Sequence, residues 1–358
     1  MKITILTHLE REKAKVHEVV VAQVRAALKR VGHNVSILGV HGNVRKLIAG
    51  LARRKPDLVF NLMEMFGRNV FGDVGVAGLL ELLNVPYTGG GPGECYLQQD
   101  KVLTKKLLAY EGILFPDFAV FSPDAGFETG GKLRMPLFVK PLRADASIGI
   151  NGKSLVDNPK DLMKRVVAIH AQVHDSALAE EYIEGREFYV GILGNKQPLA
   201  LPPIEVDFST LPEGKPHVLD TNAKWAKDSA EYQGTRTVVA DVPDELRARL
   251  HQVSLDAYRA LRVRDYGRID LRVASTGEIY VIEVNANCYL EQSSEFATAA
   301  AAAGLDYPTL LAKIAECACE RFHQRLRPCF KKGTVPLSSR GQSPFRKLAE
   351  LQGKYVPR

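Results

Sequence analysis

The sequence predicts a mixed α/β (α+β) protein of three folded parts: a parallel α/β N-terminal part, a small central α+β part, and a third part built around a β-hairpin. Three observations predict it: the chain length, the alternation of strand and helix patterns over the first sixty residues, and changes of pattern near Gly112 and Gly194. At 358 residues the chain exceeds one small core and suits two or three packed domains sharing a cleft. Its 46% hydrophobic and 25% charged residues argue against disorder over most of that length.

The N-terminal part, 1–111, reads as a strand at 2–7, an amphipathic helix near 16–30, a strand at 34–39, a helix near 43–54 and a strand at Leu58-Val59-Phe60. This alternation implies a parallel sheet covered by helices. A dinucleotide-binding enzyme would carry GxGxxG directly after its first strand; here that strand runs into Thr7-His8-Leu9-Glu10-Arg11, which rejects the dehydrogenase class. The central part, 112–193, shows apolar runs at Phe138-Val139 and Leu178-Ala179 around a helix near 160–174. The third part, 194–325, opens on a turn at Gly194-Asn195. It continues through a long polar stretch from Asp207 to Gln233, a helix near 244–261, a hairpin, and helices near 293–303 and 308–324, with Gly304 as a helix stop. Loops as long as 207–233 more often act as lids than as idle connections.

The formal charge of +7 resides in the end of the chain: residues 321–358 hold ten Lys/Arg against Glu350 alone, so this tail carries +9 and the rest −2. With Pro328, Pro336, Pro344 and Pro357, the segment 326–358 reads as a basic, solvated, flexible tail. The body lacks the interleaved aromatic and basic residues of a nucleic-acid surface, so no nucleic-acid partner is expected. No run of about 18 apolar residues could span a membrane. The first residues read as a strand rather than a signal peptide, which predicts a cytoplasmic protein. Cys95, Cys288, Cys317, Cys319 and Cys329 have neither a disulfide framework nor CxxC spacing and read as incidental thiols.

The most informative segment is Gly267-Arg268-Ile269-Asp270-Leu271, a turn at Thr276-Gly277, and Ile279-Tyr280-Val281-Ile282-Glu283-Val284-Asn285. A two-residue turn would pair Ser275 with Glu278, placing Asp270 opposite Glu283 and Arg268 opposite Asn285, all on one face. Opposed carboxylates repel and require a compensating cation. Mg²⁺ suits them, since it takes hard oxygen ligands and shares its shell with water and phosphates. The alternative is a solvent-facing hairpin in which Arg268 and Arg272 neutralise the acids.

Phe138-Val139-Lys140-Pro141 sets a lysine at the end of an apolar strand before a loop carrying Ser147, Gly149 and Gly152, whose backbone N–H groups could cradle phosphates. A merely solvated strand-end lysine is the other reading. Asp100-Lys101 opens a helix with Lys105 on the same face, after the Gly-rich run Thr88–Gly93; a surface helix with basic residues would look the same. Ala179 to Phe188 places Glu180, Glu181, Glu184 and Glu187 around one turn, as acceptors for a ribose or as a charged connection between strands.

Together these segments resemble the ATP-grasp superfamily, and within it the D-alanine:D-alanine ligase family, over about residues 55–320. The ordered elements are Gly72-Asp73, Leu80-Glu81, Pro86-Tyr87-Thr88-Gly89, Asp100-Lys101, Val139-Lys140-Pro141, Glu180, Gly185-Arg186-Glu187-Phe188, Ala223-Lys224, Gly267-Arg268-Ile269-Asp270 and Glu283-Val284-Asn285. The resemblance implies a three-domain ATP-grasp fold with a C-terminal antiparallel sheet, and a ligase that activates a carboxylate as an acyl phosphate and couples it to an amine. It implies Lys101, Lys140 and Lys224 on the ATP phosphates beside the Ser147 loop, Glu180 and the backbone of Ile183 at adenine, and Glu187 at the ribose. Asp270, Glu283 and Asn285 would bind Mg²⁺, with Mn²⁺ as a substitute, and Arg268 would stabilise the oxyanion while the 207–233 lid carries Lys224. The partners it implies are small carboxylate and amine or amino-acid substrates, and a homodimer is compatible with it.

The substrate end departs from the family. Where the family continues from its metal-binding Asn with a Pro-Gly pair, this chain has Ala286-Asn287-Cys288-Tyr289, and Tyr289 occupies the glycine position. Ser294 keeps the spacing of the serine that anchors the second amino acid. Of the family's Glu-Ser-Tyr group, the serine position holds Ala146 and the tyrosine position Trp225, while Glu12 and Glu18 compete for the acid. A different amino acid, amine or peptide is therefore expected. The alternatives are a genuine D-alanine:D-alanine ligase and a non-catalytic ATP-binding protein.

Overall fold

The computed structural model describes residues 1–326 except 13, 15, 17, 70, 125–127, 144–148, 213–215, 220–225 and 227. Ser147, Ala146, Lys224, Trp225 and all but the start of the basic tail therefore lie outside the described residues. The chain divides into a compact unit, Met1–Phe322, and a second, His323–Arg358, described only at its helical beginning.

The N-terminal part runs β1 (Lys2–His8), α1 (Val19–Arg30), β2 (Asn34–Val40), α2 (Val44–Arg54), β3 (Leu58–Leu62), α3 (Gly72–Leu82), α4 (Pro92–Gln99) and α5 (Lys101–Tyr110). Its sheet has the order β2-β1-β3, all parallel. Period-two alternation sends Ile3 and Ile5 toward Val20, Val24 and Leu28 of α1, and Leu6 toward Leu47 and Leu51 of α2, so both faces are covered. Helix α1 starts at Val19, later than its apolar pattern suggests, because Glu18 is extended and its carboxylate accepts from Thr7 Oγ1 (3.0 Å) instead of capping the helix.

The central part holds β4 (Phe118–Phe121), β5 (Glu128–Gly130), β6 (Leu137–Pro141), β7 (Leu155–Val156), α6 (Pro159–Val173) and β8 (Ala177–Glu181), in an antiparallel sheet of order β5-β4-β8-β6-β7. Phe138 lies opposite Glu180, so Lys140 is the diagonal neighbour of Glu180 on the same face, within reach of a long side chain.

The third part comprises β9 (Gly185–Leu193), β10 (Leu199–Ala200), β11 (Ile204–Asp207), α7 (Ala230–Gln233), β12 (Arg236–Val239), α8 (Asp244–Ala260), β13 (Tyr266–Ala274), β14 (Ile279–Asn285), α9 (Glu295–Ala302) and α10 (Tyr307–Leu326). Its sheet has the order β12-β11-β9-β13-β14, with β10 on β9. Strand β9, assigned by sequence to the central part, is instead the middle strand here. Its Phe188, Val190 and Ile192 face the same core as Ile269 and Leu271 of β13, and only a strand paired with β13 can bury them there.

The hairpin departs from its predicted turn yet keeps the predicted pairing. Ala274 N donates to Glu278 O (2.9 Å) and Gly277 N to Ala274 O (2.9 Å), which closes a three-residue loop, Ser275-Thr276-Gly277, with Gly277 at φ +92°. This shifts the register by one, so Val273 faces Ile279 and Leu271 faces Val281. A bulge at Ile282 restores it, and Asp270 faces Glu283 and Arg268 faces Asn285.

Candidate active site

The site forms where α5, the β6–β8 pair and the β9–β13–β14 face meet. Asp100 caps α5 by accepting from Leu103 N (3.1 Å), which fixes the first turn and sends Lys101 and Lys105 inward; the surface-helix reading fails, since both are buried. Lys105 Nζ stands 2.9 Å from Glu180 Oε1 and Lys140 Nζ 2.8 Å from Glu180 Oε2. Burial alone would raise the Glu180 carboxyl, but Lys105 and then Lys140 hold it below the ordinary glutamate range. The Lys105 ammonium is pushed down by burial and by Lys140, against the pull of Glu180. Lys101 Nζ lies 3.4 Å from Glu283 Oε1, joining α5 to the hairpin.

Both oxygens of Glu180, expected at the adenine, are thus taken by lysines, with its side chain only 3% exposed. Its carboxylate bridges Lys105 and Lys140. Because its native pKa is depressed, the stability it lends is present above the ordinary carboxylate range and is lost as pH falls through the lower native value. Glu180→Gln should therefore flatten the acid side of a curve of Tm against pH, with a lower Tm at neutral pH, read by calorimetry from pH 7 to pH 3.

On β13, Arg268, Asp270 and Arg272 share one face. Arg268 forks onto Asp270, Nε to Oδ1 at 2.7 Å and Nη2 to Oδ2 at 3.0 Å, reaches Glu295 Oε2 with Nη1 at 3.3 Å, and lies over the Tyr189 ring at 4.6 Å. Burial would lower its pKa, yet Asp270 and Glu295 raise it well above the usual arginine value. Asn285 Nδ2 donates to Asp270 Oδ2 (3.3 Å). Arg272, opposite Glu187 in the sheet, donates to it from Nε (3.1 Å) and Nη2 (2.7 Å), to Ile183 O from Nη1 (2.9 Å) and to His217 O, over the Tyr182 ring. His217 belongs to the 207–233 segment, stacks on Phe208 at 5.2 Å, and its carbonyl also accepts from Tyr182 Oη (3.1 Å), so this point of the expected lid is tied to Tyr182 and Arg272. Of the two arginines only Arg268 neutralises a hairpin acid, Asp270, and on a largely buried face rather than in solvent; Arg272 turns to Glu187 of β9 and Glu283 faces Lys101.

Asp270, Glu283 and Asn285 converge as two carboxylates and a carboxamide, the hard-oxygen donor set of Mg²⁺; among the described residues no group of three or more His, Cys, Asp or Glu gathers as a closed metal cage. So few protein ligands fit an ion that keeps waters and phosphate oxygens in its shell.

At the substrate end, Tyr289 is 44% exposed and donates to Glu291 Oε2 (2.9 Å). Burial, and then Glu291, raise its phenol pKa; of the two candidate acids, Glu18 accepts from Thr7 Oγ1 (3.0 Å) and Glu12 pairs with Lys46 at the surface. Ser294, the expected carboxylate anchor, is buried as the N-cap of α9 and accepts from Ala297 N (3.4 Å). Sequence reasoning left Lys105, Arg272 and Glu295 out of the site. The i, i+4 spacing from Lys101 and the Arg268-Asp270-Arg272 alternation signalled the first two; Glu295 carried no comparable signal.

A central and a C-terminal sheet meeting over buried lysines and an Arg-Asp/Glu-Asn hairpin define the ATP-grasp ligases, enzymes that form carbon–nitrogen bonds at the expense of ATP. Residues 107–316 match the family model for the D-ala D-ala ligase C-terminus. A D-alanine:D-alanine ligase from Desulforudis audaxviator is 31% identical over 299 residues, covering 83% of this chain and 91% of that protein. An uncharacterized protein from Sinorhizobium fredii is 33% identical over 305 residues, 83% of this chain and 86% of its own length. The crystal structure of D-alanine:D-alanine ligase from Bacillus anthracis complexed with ATP superposes with a TM-score of 0.70 at 25% identity, covering 91% of this chain and 99% of that one. The chain belongs to the D-alanine:D-alanine ligase family. Among the described residues no helix is long and apolar enough to cross a membrane.

Proposed function

We propose that this cytoplasmic ligase joins a small carboxylic acid to an amine through an acyl phosphate, on a substrate pair other than two D-alanines. The observation that carries the divergence is Tyr289: a half-exposed ring, held by Glu291, stands where the family has a glycine. A ring there changes both the shape and the hydrogen-bonding pattern of the pocket, and specificity for small polar substrates depends steeply on such partners.

In this reading Lys101 and Lys140 neutralise the phosphates of ATP, with Glu180, itself shared with Lys105, holding Lys140 in place. The Ile183 backbone meets adenine and Glu187 the ribose, both oriented by Arg272. Asp270, Glu283 and Asn285 would hold Mg²⁺, for which Mn²⁺ could substitute, and which supplies charge neutralisation at the transferring phosphoryl group. The substrate carboxylate oxygen attacks the γ-phosphorus and ADP leaves. The neutral amine then attacks the acyl carbon, Arg268 stabilises the oxyanion, and phosphate departs as the nitrogen loses its proton. Lys224 and the Ser147 loop complete the phosphate site by resemblance, with Ser294 bordering the substrate.

The test is incubation with MgATP and a panel of D-amino acids, L-amino acids and diamines, measuring phosphate release and identifying condensed products by mass spectrometry. An amide other than D-Ala-D-Ala as the main product is expected. D-Ala-D-Ala as the main product would restore the unmodified family activity and show that Tyr289 is tolerated.

A further inference from the structure

A substrate carboxylate entering this site needs a cation or a helix N-terminus, and the chain occupies both itself. Among the described residues each cation of the site faces a carboxylate: Lys101 faces Glu283, Lys105 and Lys140 share Glu180, and Arg272 holds Glu187. Arg268 carries two, with the Asp270 fork on Nε and Nη2 and Glu295 on Nη1 (3.3 Å). The N-terminus of α9, otherwise an anion site, is filled by Ser294 Oγ on Ala297 N and by the Glu295 carboxylate in the first turn. The wall beyond Cys288 is acidic too, where Tyr289 donates to Glu291 Oε2 (2.9 Å).

We infer that the acceptor is a cationic amine with no carboxylate beside its amino group, and that Glu295, on Arg268 at the head of α9, is the residue that excludes such a carboxylate. This rests on the ligase reading above. An α-amino acid would bring its carboxylate against Glu295 and have to displace it from Arg268, and like-charge juxtaposition at a desolvated contact is strongly unfavourable. An amine without that group leaves the Arg268–Glu295 pair intact, and its distal ammonium meets the Glu291 side.

The test compares matched pairs differing only by the carboxylate: putrescine against D- and L-ornithine, and cadaverine against D- and L-lysine. Dissociation constants are measured by calorimetry on the full chain with Mg²⁺ and a non-hydrolysable ATP analogue, and ADP release is measured separately with MgATP and each amino acid of the panel above added as acyl donor. The diamine of each pair should bind at least about tenfold more tightly than either amino acid, and Glu295→Gln, which frees Arg268 with no loss of volume, should move that ratio about tenfold toward the amino acid. Equal binding, absence of binding by both members, or an unchanged ratio in a folded Glu295→Gln protein would overturn the inference; the wild-type ratio decides the matter even should the variant not fold. Diamine preference in binding without ADP release with any acyl donor would remove the ligase reading and leave only the exclusion of a carboxylate by Glu295, whereas turnover without preference would overturn the inference and leave the ligase reading.

Discussion

Arg268→Met should lower the kcat of amide formation by about 10²–10³-fold, the usual cost of losing one preorganised donor to a developing oxyanion. The KM for ATP should hardly change, because the nucleotide contacts proposed above fall to Lys101, Lys140, the Ile183 backbone and Glu187. Loss of kcat at constant KM is the signature of an interaction made only in the transition state. The guanidinium suits this work because it is held from three sides: the Asp270 fork, Glu295, and the Tyr189 ring at 4.6 Å. A group so fixed needs no reorganisation as charge develops. Arg268→Lys keeps the charge but loses the fork, so it should recover only part of the rate. The check is steady-state ADP release with the product-forming pair, beside a thermal unfolding scan. A kcat within about threefold of wild type in a folded Arg268→Met protein would assign Arg268 to structure alone.

What sequence could say about this site follows from the range of each interaction. The alternation of a strand is rigid, so Arg268 and Asp270 could be put on one face with Glu283 and Asn285 opposite, and the observed pairing agrees. That agreement comes from two cancelling departures, the third loop residue and the bulge at Ile282, neither of which has a strong local code. The α5 cap was legible because Asp100 acts on an N–H three residues away. Long-range pairing was not. Nothing within β9 says that its partner is β13, about eighty residues on, so the strand was assigned to the wrong sheet. Glu180 was legible as a site residue but its two lysine partners were not, because Lys105 arrives from a helix and Lys140 from the neighbouring strand. Ser294 had the expected spacing, but a serine before a helix caps it when no competing partner intervenes.

The largest effect on stability should come from Asp265, far from any reacting atom. Its side chain is fully buried, and it accepts from Gly89 N (2.9 Å), Asn195 Nδ2 (3.0 Å) and Arg321 Nε and Nη2 (3.0 and 2.8 Å). One carboxylate thereby ties the Gly-rich run after α3, the turn after β9 and helix α10. Arg321 also donates to Tyr87 O (2.7 Å), and Arg264 covers the other side of the Tyr87 ring network through Glu81 (3.1 Å) and Gly89 O (3.2 Å). Gly89 sits at φ +88° with Asn287 packed against its Cα, so this approach leaves no space for a side chain. Asp265→Ala removes the anion and strands a buried guanidinium, an N–H and an amide together. Breaking a buried ion pair from one side costs about 3–5 kcal/mol, against a total stability of about 5–15 kcal/mol for a typical domain. Denaturant unfolding should give an unfolding free energy lower by that amount, seen as a lower midpoint at unchanged slope, with Asp265→Asn less severe because it keeps one acceptor oxygen. A loss below about 1 kcal/mol for Asp265→Ala would mean that water replaces the carboxylate at the junction and that the apolar core beside it, built on Tyr266, Phe296 and Leu310, holds these parts together unaided.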